Sequence, residues 1–578
     1  MNIDLSAVPF SSSGAYTAFS LLPAAGTLPA GLFMRSMHGG ADAQSPGGRA
    51  ALVEVLYEGQ PVPYRTAANP SRLDLISERG TLSICIAEPY GVRVRGEGVG
   101  LRLRFDAARG DYAVPAADGR HRVNSLALRL QWMLVPLSGC WQVEDPPQPD
   151  SGSASLLCAD LLPDPSTGVC EGVIEEYTST WRPGVHEASF AECAAGVQAD
   201  FDHWLAAAPE LPPSAERFAV AHALAAYVTW ANLVEPEGHL LRPAMWLSKN
   251  SMTCVPAWEH CFNAMALVYH QPIAAWDQFM TLFDQQDEHG ALPGCVSDRD
   301  LVWNFVKPPI HGWALGWMMR RTPHIRVEQV RQIYGPLCRW TEWWFSFRDD
   351  DNDGIPQYHH GSDSGWDNAT PFAAGFPLES PDLCAFLILQ METLALLARK
   401  LKQPEECESW QRRAGELLDQ MLAHFWQADH FVALRSGDHM VADTESLLLY
   451  LPLILGRRLP PAVRSELAAG LTRPGRFLTP HGLATESQSS PDYSAGGGWR
   501  GPIWAASTML MVEGLAATGE RKLAAGLALR FCELAARSGM AQYFDALTGA
   551  PLGDPASTMT ASVFLVLARE YLGGERRE

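Results

Sequence analysis

The fold class of this chain is decided by residues 379–402, ESPDLCAFLILQMETLALLARKLK. Apolar side chains recur there at three- and four-residue spacings, so they share one face of a helix. That face carries Leu383, Phe386, Leu387, Gln390, Met391, Leu394 and Leu397. The stretch therefore predicts an amphipathic helix that packs its apolar face into a core.

The same helical period recurs in runs from Ser214 to the end of the chain. Twelve helices joined by loops, with no strands between them, indicate six helical hairpins, which is the number in an (α/α)6 toroid. No sequence repeat is visible, and this argues against a solenoid. The runs cover 214–234, 257–270, 273–287, 310–321, 326–348, 379–402, 404–426, 443–456, 461–471, 502–518, 520–538 and 557–572.

The residues before this region follow a different period. Apolar residues alternate with polar ones in 92–105 and 126–134, a pattern typical of half-buried antiparallel strands. A helical stretch from about 187 to 208 then ends at Pro209. We therefore predict a mainly α chain, with a β-sandwich-like domain at 1–180, a linker helix region at 181–213 and the toroid at 214–578.

The composition excludes some functions and favours one kind of ligand. A net charge of −21 over 578 residues argues against a nucleic-acid surface and, more weakly, against binding to an anionic membrane. The 19 Trp residues favour carbohydrate, because the apolar faces of sugar rings stack on indole rings. The alternative is that these Trp side chains fill a large core.

The cysteines and the first residues bear on the compartment. The 12 cysteines show no CxxC pair and no zinc-type spacing, so we expect free, mostly buried thiols in a reducing compartment. The start, Met1-Asn2-Ile3-Asp4, lacks a basic segment followed by an apolar one, and no run of about 18 apolar residues follows. We therefore expect a cytoplasmic chain without a membrane span.

A loop at 360–370, HGSDSGWDNAT, is the first candidate site. It places Asp363, Trp366, Asp367 and Asn368 around one glycine. A carboxyl group beside a Trp face can have a raised pKa, which suits a general acid. The alternative is a surface turn in which Asp and Asn bond to the local backbone.

Four further loops at the ends of predicted helices carry unusual residues, which together include Trp, His, Arg and acids. They cover 256–263, 303–313, 498–504 and 542–549. If these loops share one end of the toroid with residues 360–370, they converge on a Trp-rich cleft. Taken singly, each Trp fits a core position as well.

Four motifs, in this order and spacing, resemble the inverting glycosidases with (α/α)6 catalytic domains. The resemblance is chiefly to glycoside hydrolase family 63 with its mannosylglycerate- and glucosylglycerate-hydrolase-like members, and more distantly to trehalases. It covers the chain from about residue 250 to the end, and the β-rich part is less distinctively similar to the domain that precedes the toroid in these enzymes. The motifs are WEHCFN (258–263), KPPIHGW (307–313), DSGWDN (363–368) and WRGPIW (499–504).

The resemblance implies a role for several of these side chains. Asp367 would be the general acid that protonates the glycosidic oxygen. Trp258 and Glu259 would hold the sugar that is cleaved off, although the family often has Asp at the second position. Trp499 and Arg500 would line the same subsite, with the guanidinium clamping a hydroxyl or carboxylate. The other candidate substrate-binding residues are His260, Lys307, His311, Trp313, Asp363, Trp366, Asn368, Gly501, Trp504 and Tyr543. Asp363 is also a candidate turn residue.

One position departs from the family. The general base of the family is a Glu near the C-terminal end, and this chain has Gln542 at that place. An inverting glycosidase needs a base carboxylate about 6.5–9.5 Å from the acid, and an amide cannot accept a proton from water. Three explanations stay open: an engineered Glu→Gln change, another acid such as Asp545 acting as the base, or a protein that does not hydrolyse.

The sequence as a whole predicts an inverting glycosidase for a small α-glucoside or α-mannoside, with no nucleic-acid or membrane partner. A phosphorylase-like enzyme and an inactive glycan-binding protein are the alternatives. No resident cofactor is expected. Asp349, Asp351 and Asp353 resemble the start of a calcium loop, but its twelfth position is His360 where an EF-hand needs Glu, and an Asp/Gly turn is the other interpretation.

Overall fold

The computed structural model describes residues 1–39, 48–107, 111–144 and 155–573. Its contacts divide the chain into two units. Unit 1 comprises residues 1–206, 226–237 and 248–253, and unit 2 comprises residues 207–225, 238–247 and 254–578. Long strands build unit 1 and helices build unit 2, so the predicted sheet-rich region followed by a helical domain is confirmed.

Two antiparallel sheets make up unit 1. The strands are β1 (Thr17–Leu22), β2 (Gly31–Ser36), β3 (Arg49–Tyr57), β4 (Gln60–Val62), β5 (Arg65–Ala68), β6 (Leu73–Ile76), β7 (Thr81–Glu88), β8 (Gly91–Glu97), β9 (Gly100–Ala107), β10 (Tyr112–Pro115), β11 (His121–Ser125), β12 (Leu130–Ser138), β13 (Cys140–Glu144), β14 (Ser155–Leu162) and β15 (Val169–Tyr177). One sheet has the order β1-β2-β3-β9-β14-β13, with β4 paired to β3, and the other has the order β10-β11-β12-β15-β8-β7-β6-β5. Phe105 from the first sheet contacts Trp132 from the second, with ring centroids 5.6 Å apart, so the sheets share buried side chains.

The period-2 pattern locates these strands with one error. Leu101, Leu103 and Phe105 are buried in β9 as the alternation predicts. The predicted strand from residue 126 begins only at Leu130, and Leu126 is 63% exposed. The reason is a turn over residues 126–129 in which Arg129 adopts a φ of 53°, a left-handed conformation that no strand can contain.

The helix predicted near 187–208 is present as α1 (Phe190–Ala207). It buries Phe190, Val197 and Phe201. It stops two residues before Pro209, where a proline would remove a helical hydrogen bond. Most of its length belongs to unit 1.

All twelve predicted helical runs contain a helix. The α-helices are α2 (Ala219–Ala231), α3 (Glu259–Leu267), α4 (Pro272–Met280), α5 (His311–Arg321), α6 (Val327–Phe347), α7 (Pro381–Lys400), α8 (Pro404–Phe425), α9 (Pro461–Thr472), α10 (Ala505–Thr518), α11 (Arg521–Ser538) and α12 (Thr558–Tyr571). The run at 443–456 forms a 3-10 helix over Leu447–Arg458 instead of an α-helix. Pro452 lies inside it, and its missing N–H removes an α-helical bond.

Six of these elements pack in a continuous series. Helix α3 contacts α5, α5 contacts α7, α7 contacts the 3-10 helix at 447–458, that helix contacts α10, α10 contacts α12, and α12 contacts α3 again. We call these elements the inner six. They bury most of their side chains, as helices that are apolar on all sides do. Helices α4, α6, α8, α9 and α11 each pack against members of this series.

Short strands lie between the helices, so the prediction of helices joined by loops alone is wrong in this detail. Residues 255–256 pair with 295–296, which pair with 301–302. Residues 503–504 pair with 543–544, which pair with 551–552. A third small sheet has the order 357–358, 378–379, 433–435 and 441–442. These bonds satisfy backbone groups in loops that enter the interior.

Helix α7 is long and apolar enough to cross a membrane by length and composition. Within the structure, 89% of its apolar window is buried. Its apolar surface is therefore covered by protein, as the amphipathic pattern at 379–402 predicts for a core helix.

The cysteines differ in part from the prediction. Ten of them are free thiols, most of them buried, as expected. Cys254 and Cys295 form a disulfide, so the prediction of free thiols is wrong for this pair. The pairing of residues 255–256 with 295–296 brings the two side chains together across 41 residues of sequence.

Candidate active site

The loop at 360–370 is held in place by its first aspartate. Asp363 is buried and accepts hydrogen bonds from the backbone N–H groups of Val306, His359 and His360, at 3.0, 3.0 and 3.2 Å. Gly365 has a φ of 74°, and a side chain there would meet the Trp258 ring. Asp363 therefore orients the loop, which favours the turn role over direct contact with a sugar.

Asp367 projects from this loop beside two other charged groups. Its side chain is 55% exposed, and Lys307 Nζ lies 3.2 Å from its Oδ1. Glu259, the first residue of α3, is near both: burial raises the pKa of its carboxyl to about 7, the Lys307 charge opposes this rise, and the Asp367 charge adds to it. Within the described part of the chain, Glu259 Oε2 is inaccessible to solvent and receives no hydrogen bond. A buried acceptor of this kind suits a ligand hydroxyl.

Four aromatic rings form a stack beside Asp367. Trp366 contacts Trp499 with ring centroids 4.5 Å apart, Trp499 stacks on Trp504 at 4.1 Å, and Trp504 stacks on Tyr543 at 4.5 Å. The pairing of Trp504 with Tyr543 in the small sheet fixes the last contact. The stack therefore joins two loops far apart in sequence, one bearing Asp367 and the other Gln542. Trp258 lies 6.1 Å from Trp499 and extends this aromatic surface.

Asn368 and Arg500 fasten the loop at 360–370 to the loop at 498–504. The Asn368 side chain donates to Gly497 O at 2.9 Å and accepts from the backbone N–H of Trp499 at 2.9 Å. Arg500 Nε donates to Asn368 O at 2.7 Å, and Gly501 N–H donates to Thr485 Oγ1 at 3.0 Å. Asn368 thus joins the two loops, and because its side chain is exposed and its amide has a second N–H, its contact with a substrate stays a prediction. The guanidinium of Arg500 also keeps further N–H groups for a ligand.

Gln542 lies where the loop after α11 turns back towards α12. Its backbone N–H donates to Asp554 O at 2.7 Å, and its side-chain Oε1 accepts from the Asp554 backbone N–H at 3.3 Å. Asp545 accepts hydrogen bonds from the backbone N–H groups of Leu547 and Thr548 at 2.7 and 3.1 Å. This turn role makes Asp545 a poor substitute for a missing base.

Most of the predicted aromatic and histidine site residues are buried in unit 2: Trp258, Trp366, Trp499 and Trp504 are 1%, 0%, 3% and 7% exposed. His260 and His311 are both 0% exposed, with ring centroids 5.2 Å apart, and Trp313 is 5% exposed. Burial lowers the pKa of His260 to about 4 and lowers that of His311 as well. Their burial does not support the predicted contact with a sugar, and neutral imidazoles packed among aromatic rings fit a core role instead.

One acid near the site was missed from the sequence. Glu486 is 0% exposed, accepts a hydrogen bond from Thr370 Oγ1 at 2.8 Å, and has a pKa that burial raises. It lies in a Ser/Thr-rich stretch without any motif, so only the fold places it against Thr370, three residues beyond Asp367. It supports the loop from behind.

The acidic loop at 349–354 contains hydrogen bonds of the Asp/Gly turn that the sequence offered as one interpretation. Asp349 accepts from the backbone N–H groups of Asp353 and Gly354, both at 3.1 Å. Oxygen atoms of Asp349, Asp351 and Asp353 lie within 4.8 Å of one another, which is also compatible with a cation. Calcium at this loop stays a prediction.

Comparisons with known proteins give a consistent class. The family model described as the mannosylglycerate hydrolase MGH1-like glycoside hydrolase domain matches residues 255–560. A mannosylglycerate hydrolase of Thermus thermophilus is 23% identical over 415 residues, which is 57% of this chain and 95% of that protein. The match to the family model begins at the same small sheet that leads to Trp258 and Glu259.

Solved structures share the fold. The glycoside hydrolase family 63 mannosylglycerate hydrolase from a second strain of Thermus thermophilus, in complex with glucose, matches with a TM-score of 0.51 and 20% identity over 60% of this chain and 99% of that one. A bacterial glucoamylase complexed with acarbose matches with a TM-score of 0.60 and 10% identity over 99% and 96%.

Fold and site together define a glycoside hydrolase. The chain belongs to the family of mannosylglycerate hydrolase MGH1-like glycoside hydrolase domains, because the family model covers more than half of its length. The resemblance to family 63 drawn from the four sequence motifs is therefore confirmed.

Proposed function

We propose that unit 2 is an (α/α)6 toroid whose mouth binds a small α-glucoside or α-mannoside and cleaves it with inversion when a base is present. The inner six elements follow one another in contact, and α12 packs against α3, which closes the series into a ring. Trp258 and Lys307 lie just before α3 and α5, Asp367 before α7, Trp499 before α10, and Gln542 before α12. The candidate residues thus precede the N-terminal ends of the inner helices, at one end of such a ring.

The observation that carries the proposal is the set of Asp367, Lys307 and Glu259 beside the aromatic stack. Asp367 is exposed enough to reach a glycosidic oxygen and donate a proton to it. Glu259, whose Oε2 lacks a hydrogen-bond donor among the described residues, offers its carboxyl group to a sugar hydroxyl. Trp366 and Trp499 are 0% and 3% exposed, so their rings support the site from within the core and have no free face for a sugar. Arg500, which lines the same subsite in this proposal, clamps a hydroxyl or a carboxylate of the substrate. We include glycosides of glycerate among the candidate substrates because relatives carry the name mannosylglycerate hydrolase.

The side chain at position 542 is an amide, and this lowers the hydrolytic activity that we expect of this chain. The resemblance to family 63 implies that position 542 is that of the general base, and an amide takes no proton from water. We therefore expect this chain to bind an α-glycoside well and to hydrolyse it slowly. Glu in place of Gln542 supplies a carboxylate with the same number of side-chain atoms.

The experiment compares this chain with its Gln542→Glu variant on α-mannosylglycerate, α-glucosylglycerate, trehalose and aryl α-glycosides. The expected gain in kcat/KM on the preferred substrate is about a thousandfold, which corresponds to roughly 4 kcal/mol of transition-state stabilisation. Binding of the same glycosides to the unaltered chain is measured by calorimetry. Equal turnover by both forms would show that the base lies elsewhere, and Glu259→Gln would then be the next variant, because its carboxyl has a pKa raised by burial to about 7.

Two other functions remain as outcomes of this experiment. Turnover that requires inorganic phosphate in both forms would indicate a phosphorylase. Tight binding without turnover in either form would indicate a glycan-binding protein.

A cytoplasmic location is part of the proposal. The ten free cysteines favour a reducing compartment, whereas the Cys254–Cys295 disulfide favours an oxidising one. Fractionation of cells with an antibody against the chain decides between them.

A further inference from the structure

A second group of ligand-type side chains lies outside the candidate active site. Asp351 and Asp353 come from the acidic loop after α6, and Glu379 comes from the strand at 378–379 just before α7. His424 is near the end of α8, and His439 lies in the hairpin formed by 433–435 and 441–442. Pairing of residues 357–358, 378–379 and 433–435 in one small sheet brings these segments together.

The distances within this group are those of ligands around one ion. His439 Nε2 lies 3.3 Å from Asp351 Oδ2, 3.6 Å from Asp353 Oδ2 and 3.7 Å from Glu379 Oε1. His424 Nε2 lies 3.9 Å from Asp353 Oδ2, and it is hydrogen-bonded to Glu379 Oε2 at 2.6 Å, a contact that an ion would have to open. Ligands held about 2.0–2.1 Å from a tetrahedral ion are about 3.3 Å from one another, so most of these separations need little change.

Glu379 supplies an independent observation. It is 0% exposed, and its Oε1 atom is inaccessible to solvent and receives no hydrogen bond from the described residues. That oxygen faces His439 Nε2 across 3.7 Å, a distance too long for a hydrogen bond. A buried carboxylate oxygen without a hydrogen-bond donor destabilises the folded state unless a cation or a donor binds to it.

We propose that Asp353, Glu379, His424 and His439 bind one divalent transition-metal ion, with Asp351 as a further ligand or as an acceptor for His439. Two imidazoles with carboxylates suit Zn²⁺ or a similar first-row ion. Calcium and magnesium prefer oxygen ligands, so two histidines at the centre distinguish this site from a calcium loop at 349–353.

The bound ion ties four segments of unit 2 together. Beyond the acidic loop, the strand at 357–358 leads to His359 and His360, whose backbone N–H groups donate to Asp363. Asp363 in turn orients the loop that carries Asp367. The ion is therefore a positioning element for that loop, and its ligands lie away from the sugar.

The test uses the full chain, stripped of metal with a chelator and then dialysed. Titration with Zn²⁺ in a calorimeter is expected to show one equivalent bound, and Zn²⁺ is expected to raise the Tm by a few degrees. Co²⁺ is expected to give visible absorption bands from the same site. His439→Ala and His424→Gln are each expected to weaken Zn²⁺ binding at least tenfold and to remove the Co²⁺ bands.

The matched control is His289→Ala, which removes an exposed histidine whose imidazole lies beside Glu288 and should leave the titration unchanged. Circular dichroism in the presence of chelator shows whether each variant is folded. The His439 side chain is 41% exposed, so we expect its removal to disturb the fold less than the change at His424. Three results would overturn the proposal: no Zn²⁺ bound by the unaltered chain, Zn²⁺ binding that survives both histidine substitutions, or Ca²⁺ bound in preference to Zn²⁺ with an affinity that His439→Ala leaves unchanged. The first result would leave a network of hydrogen bonds between the histidines and the acids, and the last a calcium loop.

Discussion

Charged side chains are paired on the sheets of unit 1, whereas acids at the candidate site of unit 2 have few partners. On the sheets, arginines and acids on neighbouring strands face each other: Arg102 holds Asp160 through two bonds at 2.7 and 2.6 Å, and Glu171 lies between Arg93 and Arg95. At the candidate site, Glu259 keeps an unbonded oxygen, and Asp367 is half exposed with one lysine beside it. Paired charges of the first kind hold strands in register, whereas we propose that acids of the second kind meet a ligand.

This difference between the two regions has an energetic meaning. A carboxylate that meets an arginine on a neighbouring strand has recovered part of its lost hydration. A carboxyl group that is buried without such a partner is unfavourable in its charged form, and it persists only where something else requires it. Substitutions in the two regions should therefore have opposite effects on stability and on ligand binding.

The largest expected effect is at Asp367. In the Gln542→Glu background, Asp367→Asn should lower kcat on a glycoside with an alkyl leaving group by about a thousandfold, because general acid catalysis contributes about 10²–10⁴. A nitrophenyl glycoside needs less help from an acid, so its loss should be much smaller. Equal losses on both substrates would contradict the role of Asp367 as the acid.

The next effect concerns Glu259 and pH. Its folded-state pKa of about 7 is above the ordinary value of 4.5, so the folded state retains a proton between these pH values that the unfolded state releases. The stability of the protein should fall as pH rises from 4.5 to 7 and stay lower above that. Lys307 and Asp367 are the charged groups that face this carboxyl.

Glu259→Gln should therefore raise the free energy of unfolding at pH 8 by at most about 3 kcal/mol, leave it nearly unchanged at pH 4, and weaken glycoside binding. Urea unfolding at both pH values measures this, with the exposed Glu288→Gln as the control. A loss of stability at pH 8 would show that Glu259 is a structural acid of the kind found in unit 1.

The smallest effect is expected on the sheets. Asp160→Ala should lower the free energy of unfolding by about 1 kcal/mol, because the pair with Arg102 is only partly buried. The affinity for glycoside should not change. A drop in affinity with no loss of stability would contradict the division of roles between the two regions.

Much of this architecture follows from local patterns. The apolar face at 379–402 predicts α7 because the helical period depends only on neighbouring residues. The run at 443–456 forms a 3-10 helix and not an α-helix because Pro452 lies within it. Motif residues such as Asp367 and Trp499 could be named as candidates for a similar reason, since each motif is a short segment. The turn at Leu126 was missed because an apolar residue continues the alternation outside the strand.

Features that need distant segments could not be predicted in this way. Cys254 and Cys295 are 41 residues apart, and only the pairing of two-residue strands joins them. The proposed metal ligands Asp353, Glu379 and His439 come from three separate segments, and no spacing rule relates them. The burial of His260 and His311 is likewise a property of the packed helices, although the motif around them is easy to recognise.

The most direct test of the proposed mechanism is NMR of the Gln542→Glu variant during the first minutes of cleavage of its preferred α-glycoside. We predict that the β-anomer of the released sugar forms first and that the unaltered chain produces it about a thousandfold more slowly. Release of the α-anomer first, or equal rates for the two forms, would contradict the assignment of Asp367 as the acid opposite a base at position 542.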